Sequence, residues 1–349
     1  MTHENMLSKS GVRRSHLDIS QSRDKTQSVS LKGDVLLLVS SWEGRSTEIS
    51  LARHSNYRLA AIVKFEERGI SGNRELHDEK LDIFAASVAD KMHEFEPMSS
   101  SNYFGWRDSF VDYLVEGRNA CNRPIDLVVD MSCLPKYYLL MILGFSIKSG
   151  LVRSLTFFYA EGRYAPATSN ITLSESHAFT EGDWQSFPVP YLEGELNPDR
   201  KVRIIASIGF ETFQARKVIR AYEAERHILL TPFPGFAPEY ETHSESEAIA
   251  LATHLDLGSK DVVRAPAGGA VETLEIALGL LDSTSRYNDV GLCLGTKPQA
   301  LGFGLAAGLR PHFTLVCPMP QQYVESGTPA LGTSWKYSII DLSALGPTS

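Results

Sequence analysis

This 349-residue chain has few cysteines, no long hydrophobic run and none of the short signatures of common hydrolases or nucleotide triphosphatases. Cys121, Cys133, Cys293 and Cys317 are its only cysteines, widely spaced and without a C-x-x-C pair. That spacing argues against a disulfide framework or a zinc site, and the four are read as ordinary thiols in strands or helices. The densest apolar stretch, Leu139 to Phe145, is far shorter than the roughly 20 residues that cross a bilayer. No membrane partner is expected. The N-terminal residues lack the apolar core of a signal peptide, which points to a cytoplasmic protein. No H-E-x-x-H, G-x-S-x-G or Walker loop occurs, so no metal, cofactor or catalytic residue is assigned. Basic residues are also outnumbered, with 34 Lys and Arg against 42 Asp and Glu and a formal net charge of −8. A protein that coats nucleic acid needs clustered Lys and Arg, so direct nucleic-acid binding is not expected, while a local basic pocket stays open.

What is present is an ordinary globular composition, 43% hydrophobic and 22% charged, in a chain long enough for two domains. Residues 1–32 are polar, with almost no apolar periodicity, and are read as a disordered tail. Apolar strand-type runs then alternate with helical spacing. In the first half, strands are expected at 36–39, 59–65, 127–129 and 155–159, with helices at 81–92, 104–116 and 137–149. A helix is expected to open at 47–51, and the charged stretch 66–79, with two glycines, is read as a loop. The second half repeats the rhythm. Strands are expected at 203–206, 227–231, 261–265, 290–294, 314–317 and 336–340, and helices at 212–223, 245–255, 271–282 and 298–308. The Pro- and Gly-rich gap before residue 336 suits a long hairpin or a loop over a cleft. The expected fold is α/β, with two Rossmann-like doubly wound parallel-sheet halves in tandem, at 33–197 and 198–349. A hairpin-rich insertion occupies about 160–197.

The two halves resemble each other. Asp34 to Arg45 is an apolar strand ending in a small-residue turn with an aromatic–Glu pair, Trp42-Glu43. Val202 to Phe213 repeats it with Phe210-Glu211. Each half then carries a second strand and turn ending in lysine: Asp126 to Lys136, and Asp289 to Lys297. This pattern suggests one ancestral unit duplicated, with like positions meeting at one cleft.

Ligands of open parallel sheets bind outside the carboxyl ends of the strands, where strand order reverses. Four turns are expected there: Ser40–Arg45, Ser132–Lys136, Ile208–Glu211 and Gly295–Pro298. Two closely precede helices, so backbone N–H groups could face an anion, with Lys136 and Lys297 adding charge. Phosphate is the simplest ligand of that shape. The glycines could equally serve only tight turns, and the lysines be solvated. The expected ligand-lining residues are Ser41, Trp42, Glu43, Arg45, Ser132, Lys136, Gly209, Phe210, Glu211, Gly295, Thr296 and Lys297. Trp42 and Phe210 would flank a base or sugar, within a group of aromatics that includes Phe233, Phe236 and Tyr240. Glu43 and Glu211 could be acid–base groups, contacts to a ribose hydroxyl, or holders of an arginine such as Arg45. Gly268-Gly269 ahead of a helix is a further anion-binding candidate, or a plain loop. Gly302 to Gly308 is read as small residues for close helix packing, since it misses the dinucleotide fingerprint spacing.

Gly295-Thr296-Lys297 resembles the Gly-Thr-Lys motif of CARF domains, the Rossmann-like sensors of cyclic oligonucleotides in CRISPR-associated proteins. Asp130 to Lys136 looks like a diverged sister of it, with Cys133-Leu134-Pro135 where that family shows glycine and threonine. Two such units in one chain also resemble the SAVED domains of antiphage signalling systems. The resemblance implies that Gly295, Thr296 and Lys297 approach ligand phosphates. It implies a cytoplasmic sensor or regulatory subunit for a phosphate-bearing, nucleotide-like ligand, partnered by a protein encoded nearby. Two other readings stay open: a nucleotide-processing enzyme with Glu43 or Glu211 as general base, and an interaction subunit with a vestigial cleft.

Overall fold

The computed structural model describes residues 10–14, 17–66, 72–99, 103–163, 180–281, 286–323 and 328–345. In chain order, its first strands are β1 (Ser10–Arg14), β2 (Leu17–Lys25), β3 (Val35–Val39) and β4 (Leu59–Val63). Helix α1 (Gly72–Val88), strand β5 (Met92–His93), helix α2 (Tyr103–Cys121), strand β6 (Ile125–Asp130), helix α3 (Lys136–Ser149) and strand β7 (Val152–Gly162) follow. Beyond them come β8 (Gln185–Pro188), β9 (Lys201–Ser207), α4 (Thr212–Arg220), β10 (Arg226–Pro232), α5 (Pro238–His254), β11 (Val262–Ala265) and α6 (Ala270–Leu280). The chain closes with β12 (Tyr287–Cys293), α7 (Lys297–Leu309), β13 (Phe313–Met319) and β14 (Ala330–Ile340).

Two compact units result. One gathers the described residues of Met1–Tyr138, Ser146–Ala165 and Glu325–Ala344; the other gathers those of Leu139–Phe145, Pro166–Val324 and Leu345–Ser349. The first unit's eight-stranded sheet runs β1-β2-β14-β7-β6-β3-β4-β5. Its five strands from β5 to β7 are parallel, while β14, β2 and β1 add on antiparallel. The second unit's six-stranded sheet runs β8-β13-β12-β9-β10-β11. Its strands from β11 to β13 are parallel, and β8 is antiparallel at the edge. In both units the five parallel strands, numbered within the unit, follow the order 3-2-1-4-5, and an antiparallel strand flanks the fifth. The duplication visible in the sequence is therefore a duplication of topology.

The apolar runs form strands because both faces of a parallel sheet are covered. Val35–Val39 and Leu59–Val63 are buried at every position. On one face of the first sheet, Leu36, Leu38, Ala60, Ile62 and Val128 pack against Ile49, Leu81 and Ala85. The second unit repeats the arrangement with Ile204, Ala206, Leu229, Val290 and Leu292 against Ala215, Ile219 and Leu251. Each large aliphatic side chain so buried contributes about 1.5–3 kcal/mol.

Several expectations are corrected. The 1–32 tail is not without structure where it is described: Leu17–Lys25 is a strand paired in register with Thr333–Ile340. Its inward positions include Gln21 beside Ile19, so the alternation is chemically faint. Residues 72–79 are helical, because the charged side chains face solvent while Leu81 and Ala85 bury. Residues 47–51 belong to a 3-10 helix, Gly44–Leu51, and open no α-helix. Met92, expected to end the 81–92 helix, lies instead in the strand Met92–His93. Ala330–Ile340 does not form a hairpin with Phe313–Met319 but returns to the first unit beside β7, so the half-boundaries 33–197 and 198–349 do not hold. Residues 164–179 of the expected 160–197 insertion lie outside the described residues; of the rest, Gln185–Pro188 joins the second sheet.

One carboxylate ties the antiparallel extension to the first sheet. Glu161, on β7, is fully buried. It receives Arg23 Nε at 2.6 Å and Nη2 at 2.8 Å from β2, and Thr333 Oγ1 and Trp335 Nε1, both at 2.6 Å, from β14. The four donors satisfy a charge that would otherwise be expensive to bury. Replacing Glu161 with Ala should destabilise the first unit by about 2–4 kcal/mol, a range discounted for the half-exposed Arg23. Denaturant titration of the variant checks this, and an unchanged midpoint would refute the assignment.

His54 supplies a pH test. Its Nε2 lies 2.8 Å from the Ile49 carbonyl and its Nδ1 3.0 Å from the Tyr57 hydroxyl. A carbonyl only accepts, so Nε2 carries the proton and Nδ1 accepts from Tyr57. Burial lowers its pKa below the ordinary 6.5, partly opposed by the Ile49 bond. The unfolded state then binds the proton more readily, so this contribution is full above the unfolded value and is lost as pH falls through the folded one. Thermal unfolding between pH 7.5 and 5 should show stability dropping with acid, less steeply in His54→Gln.

Candidate functional site

In each unit the strand order reverses beside the first parallel strand, between β3 and β6 in one and between β9 and β12 in the other. The four turns singled out from sequence follow those four strands. This is the position at which open α/β sheets hold ligands.

In the first unit, the turn after β3 is clamped from within. Arg45 is 3% exposed, and its Nε donates to Glu43 Oε2 at 2.7 Å. Its Nη1 lies 3.3 Å from the Tyr159 hydroxyl, with the guanidinium 5.7 Å from that ring. Glu43 is thus the holder of an arginine, one of the roles left open for it. Ser41 is buried, its hydroxyl accepts from the Glu43 N–H at 3.3 Å, and its carbonyl accepts from Ser46 Oγ at 3.2 Å. The same carbonyl accepts from His77 Nδ1 at 2.8 Å, while Ser40 bonds Asp78. Trp42 is partly exposed, yet among the described residues its Nε1 is buried without a hydrogen-bond partner, as is Glu48 Oε2. His77 was missed from sequence because its stretch read as a loop and nothing in its spacing links it to Ser41.

The turn after β6 is held by buried Asp130, whose Oδ1 accepts from the Ser132 N–H at 2.8 Å. Ser132 is also buried, and its hydroxyl accepts from the Ala160 N–H at 2.9 Å. Its role is to brace β7. Helix α3 then starts at half-buried Lys136 behind Pro135, which offers no side-chain cap.

In the second unit, the Gly295–Lys297 turn is closed on itself. The Gly295 N–H donates to Ser207 Oγ at 3.0 Å. Thr296 and Gln299 form a capping box: the Thr296 N–H donates to Gln299 Oε1 at 3.2 Å, and the Gln299 N–H to Thr296 Oγ1 at 3.3 Å. Thr296 Oγ1 also donates to the Ala267 carbonyl at 2.6 Å, and Gln299 Nε2 to that of Ala265 at 3.1 Å. Pro298 has no N–H. The Gly295 and Thr296 amides, two of those expected to face a phosphate, are therefore taken by the chain's own oxygens. Glycine is needed at 295 because a Cβ would lie 2.4 Å from Gln299 Oε1 and 2.9 Å from Ser207 Cβ. Gly209 approaches the Leu294 carbonyl similarly, at 2.8 Å from an added Cβ. Lys297 is half-buried at the first position of α7.

Glu211 accepts from Thr180 Oγ1 at 2.7 Å, and Trp184 Nε1 donates to the same hydroxyl at 2.9 Å. Neither partner was legible in sequence, because both lie about thirty residues away in the stretch read as an insertion. Half-exposed Phe210 packs edge-on against Tyr240 at 5.8 Å and lies 5.3 Å from His243, and Phe233 carries Arg264 at 4.4 Å. At Gly268-Gly269, the first turn of α6 contains Glu272, with Oε2 2.7 Å from where a Cβ on Gly269 would stand. The chain's own carboxylate meets that helix end. Gly302 lets α7 approach α6, since a Cβ there would lie 2.5 Å from the Ala270 carbonyl. Close helix packing is thus its role.

Among the described residues, no cluster of three or more His, Cys, Asp or Glu could hold a metal, and no helix is long and apolar enough to cross a membrane. None of the four cysteines forms a disulfide, and Cys293 and Cys317 are buried. Thr296→Ala should cost about 1 kcal/mol through loss of the cap, and Thr296→Ser should restore it. Denaturant unfolding of the two variants checks this; an unaffected Thr296→Ala would show that the capping box does not support the turn.

No protein-family model matches the chain, and no curated protein matches it. Two solved structures are similar to it at low scores. One is a functionally unknown protein of Pseudomonas aeruginosa PAO1, with TM-score 0.23 and 9% identity, covering 84% of this chain and 94% of that one. The other is a candidate universal stress protein of Pseudomonas aeruginosa UCBPP-PA14, with TM-score 0.22, 10% identity and the same coverage.

Proposed function

We propose that the protein is a sensor or regulatory subunit that binds a phosphate-bearing, nucleotide-like ligand at the carboxyl edge of its Rossmann-like sheets. One observation carries this reading. Each unit reverses its strand order beside its first parallel strand, and in each the helix after the fourth strand begins with a half-buried lysine, Lys136 or Lys297. A lysine there is a point charge for a phosphate group. Half-exposed Phe210 and Trp42 offer ring faces or edges to a base or sugar. Glu43 and Glu211 are already engaged by Arg45 and Thr180, which favours binding over acid–base turnover. The resemblance of Gly295-Thr296-Lys297 to the CARF motif supports a place in a prokaryotic defence system, where a protein partner reads the ligand-bound state. In this reading Thr296 and Gly295 shape the turn, and Lys297 reaches the ligand.

Isothermal titration with mono-, di- and cyclic nucleotides should reveal binding, and mass spectrometry of the same mixtures should reveal no product. Lys136→Ala and Lys297→Ala should each weaken the ligand about 10- to 100-fold, as expected for a charge-assisted contact of about 1.5–3 kcal/mol. Product formation that Glu43→Ala or Glu211→Ala abolishes would replace this reading with an enzymatic one. An absence of binding to any phosphate-bearing nucleotide would remove it.

A further inference from the structure

The second unit carries a short ribbon beyond its sheet. Past the paired ends of β8 and β13, Thr180–Glu181 pairs antiparallel with Gln322–Tyr323. A two-stranded pairing this short has little stability of its own. A chain of side-chain hydrogen bonds holds it against the carboxyl-edge turn after β9. An indole N–H can only donate, so Trp184 Nε1, 2.9 Å from Thr180 Oγ1, gives its proton to that hydroxyl. The hydroxyl in turn donates to Glu211 Oε1 at 2.7 Å, and Glu211 is the residue that precedes helix α4. Thr180 is buried, and the Trp184 ring packs against the core that includes Ala215 and Val218 of α4. Two further ties lie outward of this chain. Gln214 Nε2 reaches the Gly182 carbonyl at 3.3 Å, and Lys217 Nζ lies 3.3 Å from Asp183 Oδ1 in an exposed pair, an arrangement worth little in water. Gly182, with φ +77°, gives the segment a left-handed joint between Thr180 and the ladder that starts at Gln185.

Glu211 stands at the edge where the ligand is read to bind, and a carboxylate there repels a phosphate. The ligand group it suits is a hydroxyl or another donor, and a donor it already holds is the Thr180 hydroxyl. A ribose hydroxyl is the same kind of group. Exchanging one for the other leaves the carboxylate satisfied in both states, while the released Thr180 and Trp184 groups turn to water. The two states then differ by a balance of like hydrogen bonds and strand no buried charge, which is the condition for a population that a ligand can shift. We infer that the Thr180–Trp184 segment is an autoinhibitory latch on the second unit's mouth, docked through Glu211 in the free protein and displaced when a ligand hydroxyl takes that carboxylate. This rests on the nucleotide-binding reading above and gives it a moving part for a partner protein to recognise.

The test uses the full chain with adenosine 5′-monophosphate and its 2′,3′-dideoxy form. Thr180→Val keeps the branched shape and removes the hydroxyl. Trp184→Phe keeps a ring in the core and removes the donor. Each should tighten adenosine monophosphate about three- to tenfold, the effect of losing one competing hydrogen bond. Each should also speed amide hydrogen exchange at residues 181–183 and Gln322–Tyr323 while leaving exchange in β9 and β12 unchanged. In the wild-type chain, adenosine monophosphate should speed exchange at those same residues and the dideoxy form should not, a readout that needs no variant. Slower exchange there on binding, or affinity that neither variant improves, would overturn the latch and leave the nucleotide reading intact. Absence of binding by both nucleotides would count against the nucleotide reading instead. The latch is then judged on exchange alone, upheld if Thr180→Val speeds it at residues 181–183 and Gln322–Tyr323 and overturned if it does not.

Discussion

Each unit is organised by where its chain enters the sheet. The first parallel strand lies inside the sheet, strands two and three are added on one side, and the fourth and fifth on the other. The chain therefore leaves strands one and four in opposite directions, and their carboxyl-end turns part. This constraint, more than any single side chain, gathers Ser41 to Arg45 with Ser132 to Lys136, and Ile208 to Glu211 with Gly295 to Lys297. A different strand order would leave the same residues in ordinary surface turns.

The two units share that plan and then diverge. In the second, the antiparallel strand beside the fifth parallel strand is the edge. In the first, the corresponding position is taken by the C-terminal strand, and two N-terminal strands continue the sheet. Glu161 makes that continuation possible, because a buried carboxylate with four donors from β2 and β14 links segments far apart in sequence. The second unit has a buried pair of its own within the parallel sheet, Arg203 to Asp289 at 2.5 Å. Breaking either pair would strand a charge in a low-dielectric interior.

Divergence also marks the mouths. The second unit's motif turn is braced by its capping box and by Ser207, so its Gly295 and Thr296 amides belong to the fold. The first unit's turn is held by the Arg45–Glu43 pair and by His77, while among the described residues the Trp42 indole N–H and, in the following 3-10 helix, Glu48 Oε2 are buried without a hydrogen-bond partner.

Sequence alone determined the elements buried on both faces. Val35–Val39 and Leu59–Val63 are continuous apolar runs, as are Leu127–Val129 and Ile204–Ala206 within longer strands, and runs of this length suit strands of a parallel sheet covered on both faces. The recurring aromatic–Glu and lysine positions also pointed to the duplication that the repeated strand order shows. The sequence was silent about β2, whose inward face includes Gln21 and whose charge at Arg23 finds Glu161 only after folding. It was silent about residues 72–79, whose charges cover one face of a helix. Tertiary structure decided that Ala330–Ile340 belongs to the first sheet, that Thr296 caps its helix, that Thr180 meets Glu211, and that His77 meets the Ser41 carbonyl. The physical reason is common to all four. A local pattern records what a segment must bury, whereas a hydrogen-bonding group records nothing of which distant partner will satisfy it until strand order brings the two together.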